Sequence, residues 1–147
     1  IDFLKSQIKW ISKLYTFLFK SILRENEIKE FTGASWFLLG DLISLLLFPE
    51  KIAIFSMFLL SVSDTAAALI GRLYGKTKIY LKSLEGSFAF CISGFLVSIL
   101  FTEIPILIKT LTVIFATMIE LIPMKINDNL TIPILSGSFC YLGINII

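Results

Sequence analysis

Long apolar runs separated by short polar breaks set the pattern of this chain. The first run, Ala34 to Phe48, has about 15 residues, short of the roughly 20 that cross a bilayer, and part of Phe31–Gly33 would lengthen it enough. It contains Asp41 and stops at Pro49-Glu50-Lys51, a turn signal. Ile52 to about Gly71 comes next, bulky in its first half (IAIFSMFLL) and small in its second (SVSDTAAALIG). Three more runs follow: Gly86 to Phe101, Ile106 to about Pro123, and Leu130 to Ile147, the last interrupted by Pro133, Gly137 and Gly143. The pattern predicts an all-α fold, a polytopic membrane helix bundle of about five spanning helices.

Residues 2–24 show a different period. Lys5, Lys9, Lys13, Lys20 and Arg24 fall within roughly a 100° arc at 3.6 residues per turn. Ile8, Ile11, Leu14, Tyr15, Leu18 and Ile22 cover the opposite side. This predicts an amphipathic interfacial helix lying at headgroup depth; a spanning helix with its Lys stripe against protein is the alternative. A polar break over residues 24–33, RENEIKEFTG, follows. The expected organisation is a single integral membrane domain, with 1–24 as interfacial helix and 32–147 as the transmembrane bundle.

Composition supports that class. Of 147 residues, 56% are hydrophobic and 14% aromatic, and the mean hydropathy is +0.90. Too few polar residues remain to cover a soluble domain of this size. The first residue is Ile, which leaves room for an upstream segment, and no signal-peptide cleavage pattern is visible. The absence of His excludes His-based acid/base chemistry and His-ligated zinc. Cys91 and Cys140 lie in apolar runs and read as buried thiols.

Loop charge sets an orientation. Residues 72–85 carry Arg72, Lys76, Lys78 and Lys82 against Glu85 alone, which predicts a cytoplasmic loop. Counting crossings puts 24–33 and 123–130 on the same side. The short turns at Pro49–Lys51 and Thr102–Pro105 fall on the other. All three charge-rich loops therefore converge on one face.

Ionisable residues within spans are costly and are functional candidates by default. Asp64 lies about two turns from its helix end, on one face with Ala67, Ala68 and Gly71. Small faces allow close helix approach and leave room for a ligand. Glu120 and Asp128, the latter between Asn127 and Asn129, reach the same membrane face. Hard cations such as Mg²⁺ take one or two carboxylates with phosphates and water, so Asp64 and Asp128 form a candidate metal pair with Glu120 nearby. Each could instead cap a helix or pair with a loop Lys. Ser83-Leu84-Glu85-Gly86-Ser87 opens the next helix beside Lys82, a phosphate-binding arrangement. Gly71 to Thr77 reads GRLYGKT, one residue short of a P-loop. Asp41 reads as a tolerated packing residue, and Lys109 as a side chain snorkelling outward.

Several segments, in order, resemble the CTP-dependent lipid kinases: TGASWFLLG (32–40), LFP (47–49), SDTAAALIGRLYGK (63–76), KSLEGS (82–87), IELIP (119–123) and NDNLTIPI (127–134). That family includes dolichol kinase, CTP-dependent diacylglycerol kinase and phytol kinase; the pattern is more distantly similar to phosphatidate cytidylyltransferase. The resemblance implies transfer of the γ-phosphate of CTP to a lipid alcohol, with Mg²⁺ or another divalent cation. It implies Asp64 on the metal–nucleotide and Arg72, Lys76 and Lys82 on phosphates. Ser83, Glu85, Gly86 and Ser87 would form the phosphate turn, and Asn127, Asp128 and Asn129 would complete the site. Either Asp128 or Glu120 could be the base. The expected partners are CTP, a lipid alcohol and the bilayer, with no nucleic acid; small-residue faces also permit a homo-oligomer. A CDP-lipid-forming cytidylyltransferase and a non-enzymatic transporter or scaffold are the competing readings.

Overall fold

A computed structural model describes residues 32–124 and 126–146. The predicted amphipathic helix over 2–24 and most of the following polar break lie outside the described residues. Helix α1 (Gly33–Leu47) starts at Thr32, whose hydroxyl accepts from the Ser35 N–H at 3.4 Å. It stops because Pro49 disfavours helical geometry at the preceding residue; Phe48 is extended, with φ −117° and ψ 153°. Helix α2 (Glu50–Tyr74) then begins directly after Pro49.

The second helix is continuous but not uniform. Glu50–Phe58 is α-helical, Leu59–Asp64 is a π segment, and Thr65–Tyr74 is α-helical again. Ser61 and Thr65 bond back to the carbonyls of Met57 and Ser61, four residues earlier, where such hydroxyls perturb the backbone ladder. Asp64 is the last residue of the π segment.

A small hairpin follows, β1 (Lys78–Ile79) and β2 (Lys82–Ser83), pairing Lys78 with Ser83 and Ile79 with Lys82. Its two-residue tip holds Tyr80 at φ 54°, in the left-handed region. Three further helices complete the order: α3 (Leu84–Ile99), α4 (Ile106–Leu121) and α5 (Asp128–Ile146). The fold is all-helical apart from this hairpin. Of the described helices, Glu50–Tyr74 and Asp128–Ile146 are long and apolar enough to cross a membrane; Gly33–Leu47 and Leu84–Ile99 are shorter apolar helices.

Helices α1 and α5 run in the same direction. Asn129 Nδ2 donates to the Gly33 carbonyl at 2.9 Å at one end, and the Phe48 ring meets Gly137 and Tyr141 further along both helices. Between these points Gly40 lies against the Asn129 carbonyl, which Pro133, lacking an N–H, cannot engage. At the end away from Gly33, Lys51 pairs with Glu103, which brings the two short turns together.

The core is built from Phe55, Leu59, Phe90, Val113 and Ile132, all fully buried, with Phe55 against Phe101 at 5.0 Å between ring centroids. Polar side chains share this interior. Ser56, Thr112 and Ser136 are fully buried, and each donates to a carbonyl of its own helix. Such bonds remove most of the cost of burying a hydroxyl. The outside is apolar instead: Leu38, Leu46, Phe88, Ile92, Leu96 and Ile99 are among many large exposed hydrophobics. Cys140 is buried and Cys91 half-buried; both are free thiols.

One expectation fails here. Lys109 does not snorkel outward. Its Nζ donates to the carbonyls of Ser98 and Phe101 at 2.9 and 3.3 Å, capping the C-terminal end of α3. A cation at these unsatisfied carbonyls is favoured electrostatically.

Candidate active site

At the end of the bundle opposite Lys51 and Glu103, a cavity of about 1070 Å³ opens among all five helices and the hairpin. The N-terminal ends of α1, α3 and α5 all reach it, through Gly33, Ser83 with Gly86, and Asn127 to Asn129. Each N-terminus carries a polar residue suited to cap it. Thr32 serves α1, Ser83 Oγ accepts from Gly86 N at 3.2 Å, and Asn127 Oδ1 accepts from Asn129 N at 3.0 Å. Three helix N-termini aimed at one space favour an anion there.

The second half of α2 forms one wall. Asp64, Ala67, Ala68, Gly71 and Arg72 line the cavity, as the small-residue face predicted. Close packing against α3 depends on glycine: a Cβ on Gly86 would lie 2.9 Å from the Ala67 carbonyl oxygen.

Lys82 binds two acids from different helices. Its Nζ lies 2.7 Å from Asp128 Oδ2 and 3.1 Å from Glu120 Oε1. Ser87 Oγ donates to the other Glu120 oxygen, Oε2, at 2.9 Å. Glu120 is buried, with both oxygens engaged, whereas the Asp128 side chain is partly open. Desolvation alone would lower the Lys82 pKa. The hydrogen bond and charge of Asp128, followed by those of Glu120, outweigh it and raise the pKa above the ordinary 10.5. Lys82 is therefore cationic at neutral pH.

The cavity thus gathers Asp64, Arg72, Lys82, Ser83, Gly86, Glu120, Asn127, Asp128 and Asn129 from the expected set. Three expected residues stand off its wall. The Glu85 carboxylate instead accepts from the Thr77 N–H at 3.0 and 3.3 Å and ties the base of the hairpin to α3. Hydrogen bonding from its own backbone N–H, then from Thr77 and Lys76, holds its pKa below 4.5 against some desolvation. Lys76 lies at this same base, away from the lining. Ser87 acts from behind, through Glu120. Lys78 and Trp36 line the cavity without having been assigned roles from the sequence. The only advance signal for Lys78 was its membership of the cationic loop, and for Trp36 its place in the TGASWFLLG segment.

Three cations (Arg72, Lys78, Lys82) face three acids (Asp64, Glu120, Asp128) along the lining. Such a wall suits a cation and a polyanion bound together better than a bare anion. Among the described residues no three acids stand close enough to cage a metal. A Mg²⁺ ion keeps water and phosphate ligands and needs only one or two carboxylates, which the acids of the lining would supply.

Comparison with known proteins bears on this site. The chain is 30% identical to the CTP-dependent diacylglycerol kinase 1 of Schizosaccharomyces pombe over 152 aligned positions, covering 89% of this chain and 69% of that enzyme. The chain belongs to the CTP-dependent lipid kinase family. Within the family it is also 37% identical to the Saccharomyces cerevisiae CTP-dependent diacylglycerol kinase 1 over 92 positions, 60% of this chain and 32% of that one. A probable chloroplastic phytol kinase 1 of Oryza sativa subsp. japonica is 32% identical over 146 positions, 85% of this chain and 46% of that one. The chain therefore spans about a third of one family member and about half of another. No family model and no solved structure matches the chain.

Proposed function

We propose that this chain is a membrane-embedded kinase that transfers the γ-phosphoryl group of CTP to the hydroxyl of a lipid alcohol, in a Mg²⁺-dependent reaction at the cytoplasmic face. The observation that carries the reading is the balanced cavity: three helix N-termini, three cations and three acids around about 1070 Å³. That volume is at the upper end of ligand pockets, roughly 300–1,000 Å³, and accommodates a nucleotide with part of a second substrate. The relatives' names supply the donor and the acceptor class: CTP, and diacylglycerol or phytol. The inside-out distribution of polar and apolar residues supports one bilayer-embedded domain with several crossings. The concentration of cations at the cavity end supports a cytoplasmic site.

Phosphoryl transfer asks a protein mainly for positioning and charge neutralisation. Arg72, Lys78 and Lys82, with the N–H groups opening α3, hold the phosphates. Asp64 would hold the divalent cation, which would supply neutralisation of phosphate charge, and Asp128 keeps the oxygen that Lys82 does not engage. The lipid oxygen attacks the γ-phosphorus, the bond to the β-phosphate oxygen breaks, and CDP leaves with a lipid phosphate formed. The hydroxyl proton goes to Asp128, the acid with an open side. Glu120 has no free oxygen and is a positioning residue for Lys82.

The test is transfer from CTP labelled at the γ or the α phosphate to extracted lipid. The γ-label in lipid supports the kinase; the α-label supports a CDP-lipid transferase; neither label, with active controls, overturns both. Asp64→Asn is expected to abolish γ-transfer while the protein stays folded in detergent, and full activity in that variant would remove Asp64 from the mechanism.

A further inference from the structure

The hairpin between α2 and α3 spends conformational energy to display apolar side chains. Tyr80 is held at φ 54°, a conformation that costs a non-glycine residue of order 1 kcal/mol or more. Yet neither tip residue is buried in return: Tyr80 is 77% and Leu81 91% exposed. The base of the hairpin is firmly tied, by Leu84 N to Thr77 O at 3.0 Å and by Thr77 N to the Glu85 carboxylate. A rigid stem thus presents a Tyr-Leu tip, with Lys76 exposed at its base and off the cavity wall.

We propose that this tip inserts into an anionic bilayer surface. Tyr and Leu suit the boundary between headgroups and acyl chains, and the neighbouring Lys76 complements anionic headgroups. The same hairpin carries Lys82 and Ser83 into the cavity, and Leu81 lies at its edge. Seating the tip in the headgroup layer fixes the depth at which the cavity meets lipid. This contact goes beyond the kinase reading and stands or falls separately from it.

The experiment is a depth measurement on the full chain. Leu81→Cys, in a Cys91→Ser, Cys140→Ala background, is spin-labelled and reconstituted in phosphatidylcholine vesicles with and without phosphatidylglycerol. A label at Thr102, in an exposed turn at the opposite end, is the reference. The expected result is a ratio of oxygen to aqueous nickel-chelate collisions several-fold higher at 81 than at 102, rising further with phosphatidylglycerol. Equal ratios at the two sites in both vesicles would overturn the inference. So would an immobilised label at 81 shielded from both reagents, which would point to a protein partner. Because no catalysis is measured, either result leaves the labelled-CTP test untouched.

Discussion

Replacing Lys82 by Met removes the cation that Glu120 and Asp128 share. Breaking a fully buried ion pair typically costs about 3–5 kcal/mol, because the remaining charge is stranded. Here the three side chains differ in exposure: 5% for Glu120, 25% for Lys82 and 29% for Asp128. Water reaches the Lys82–Asp128 side and screens part of the loss, so about 2–3 kcal/mol is expected, a roughly 30- to 150-fold drop in the folding equilibrium. Most of that arises from Glu120, left charged and buried with only Ser87 as partner. Glu120→Gln in the Lys82→Met background removes the stranded charge and is expected to restore at least about 1 kcal/mol, a non-additive coupling usual for contacting residues. On the proposed function, γ-transfer is expected to be absent in both variants, because each lacks the Lys82 cation in the cavity. Chemical or thermal unfolding in detergent measures the stability cycle, and γ-label transfer measures activity. A Lys82→Met protein as stable as the parent, or a double variant no more stable than that single, would refute the account of the triad.

Three further outcomes are expected. Gly86→Ala places a methyl against the Ala67 carbonyl, a backbone atom that cannot rotate away, and should cost about 1–3 kcal/mol in an unfolding titration. Lys109→Met uncaps the carbonyls at the end of α3 and should cost about 1–2 kcal/mol while leaving γ-transfer by the folded fraction unchanged. Glu85 has a depressed pKa, so its contribution is present above 4.5 and is lost as pH falls below that value through its folded pKa; the pH dependence of unfolding in that acid range should flatten in Glu85→Gln.

The wall formed by Asp64, Ala67, Ala68 and Gly71 was legible because it repeats at helical spacing within one segment. That Lys82, Glu120 and Asp128 reach the same end of the bundle followed from counting runs. The Lys82–Glu120–Ser87 contacts were not legible as pairs: Ser87 and Glu120 are 33 positions apart and meet only through packing of α3 on α4. The hairpin escaped notice because its tip, Tyr80-Leu81, lacks the Gly or Asn that normally announces a two-residue turn. The hairpin also gives the Glu85 carboxylate a partner invisible in the sequence, the Thr77 N–H, which ties the hairpin base to α3. The partners of Lys109, the carbonyls of Ser98 and Phe101, lie at the end of α3 and just beyond it, outside the helix that carries Lys109.

The π segment in α2 makes the phase of the helix depend on its length. A π turn holds one residue more than the α turns around it, so it offsets the angular phase of everything downstream by about 100°. Upstream of it, Ile52, Phe55 and Leu59 answer to the core; downstream, Asp64, Ala67 and Gly71 answer to the cavity. A single-residue deletion between Leu59 and Asp64 would leave composition and hydropathy almost unchanged, yet swing the carboxylate and its small-residue wall out of the cavity. The length of those six positions therefore sets which residues of α2 face the cavity.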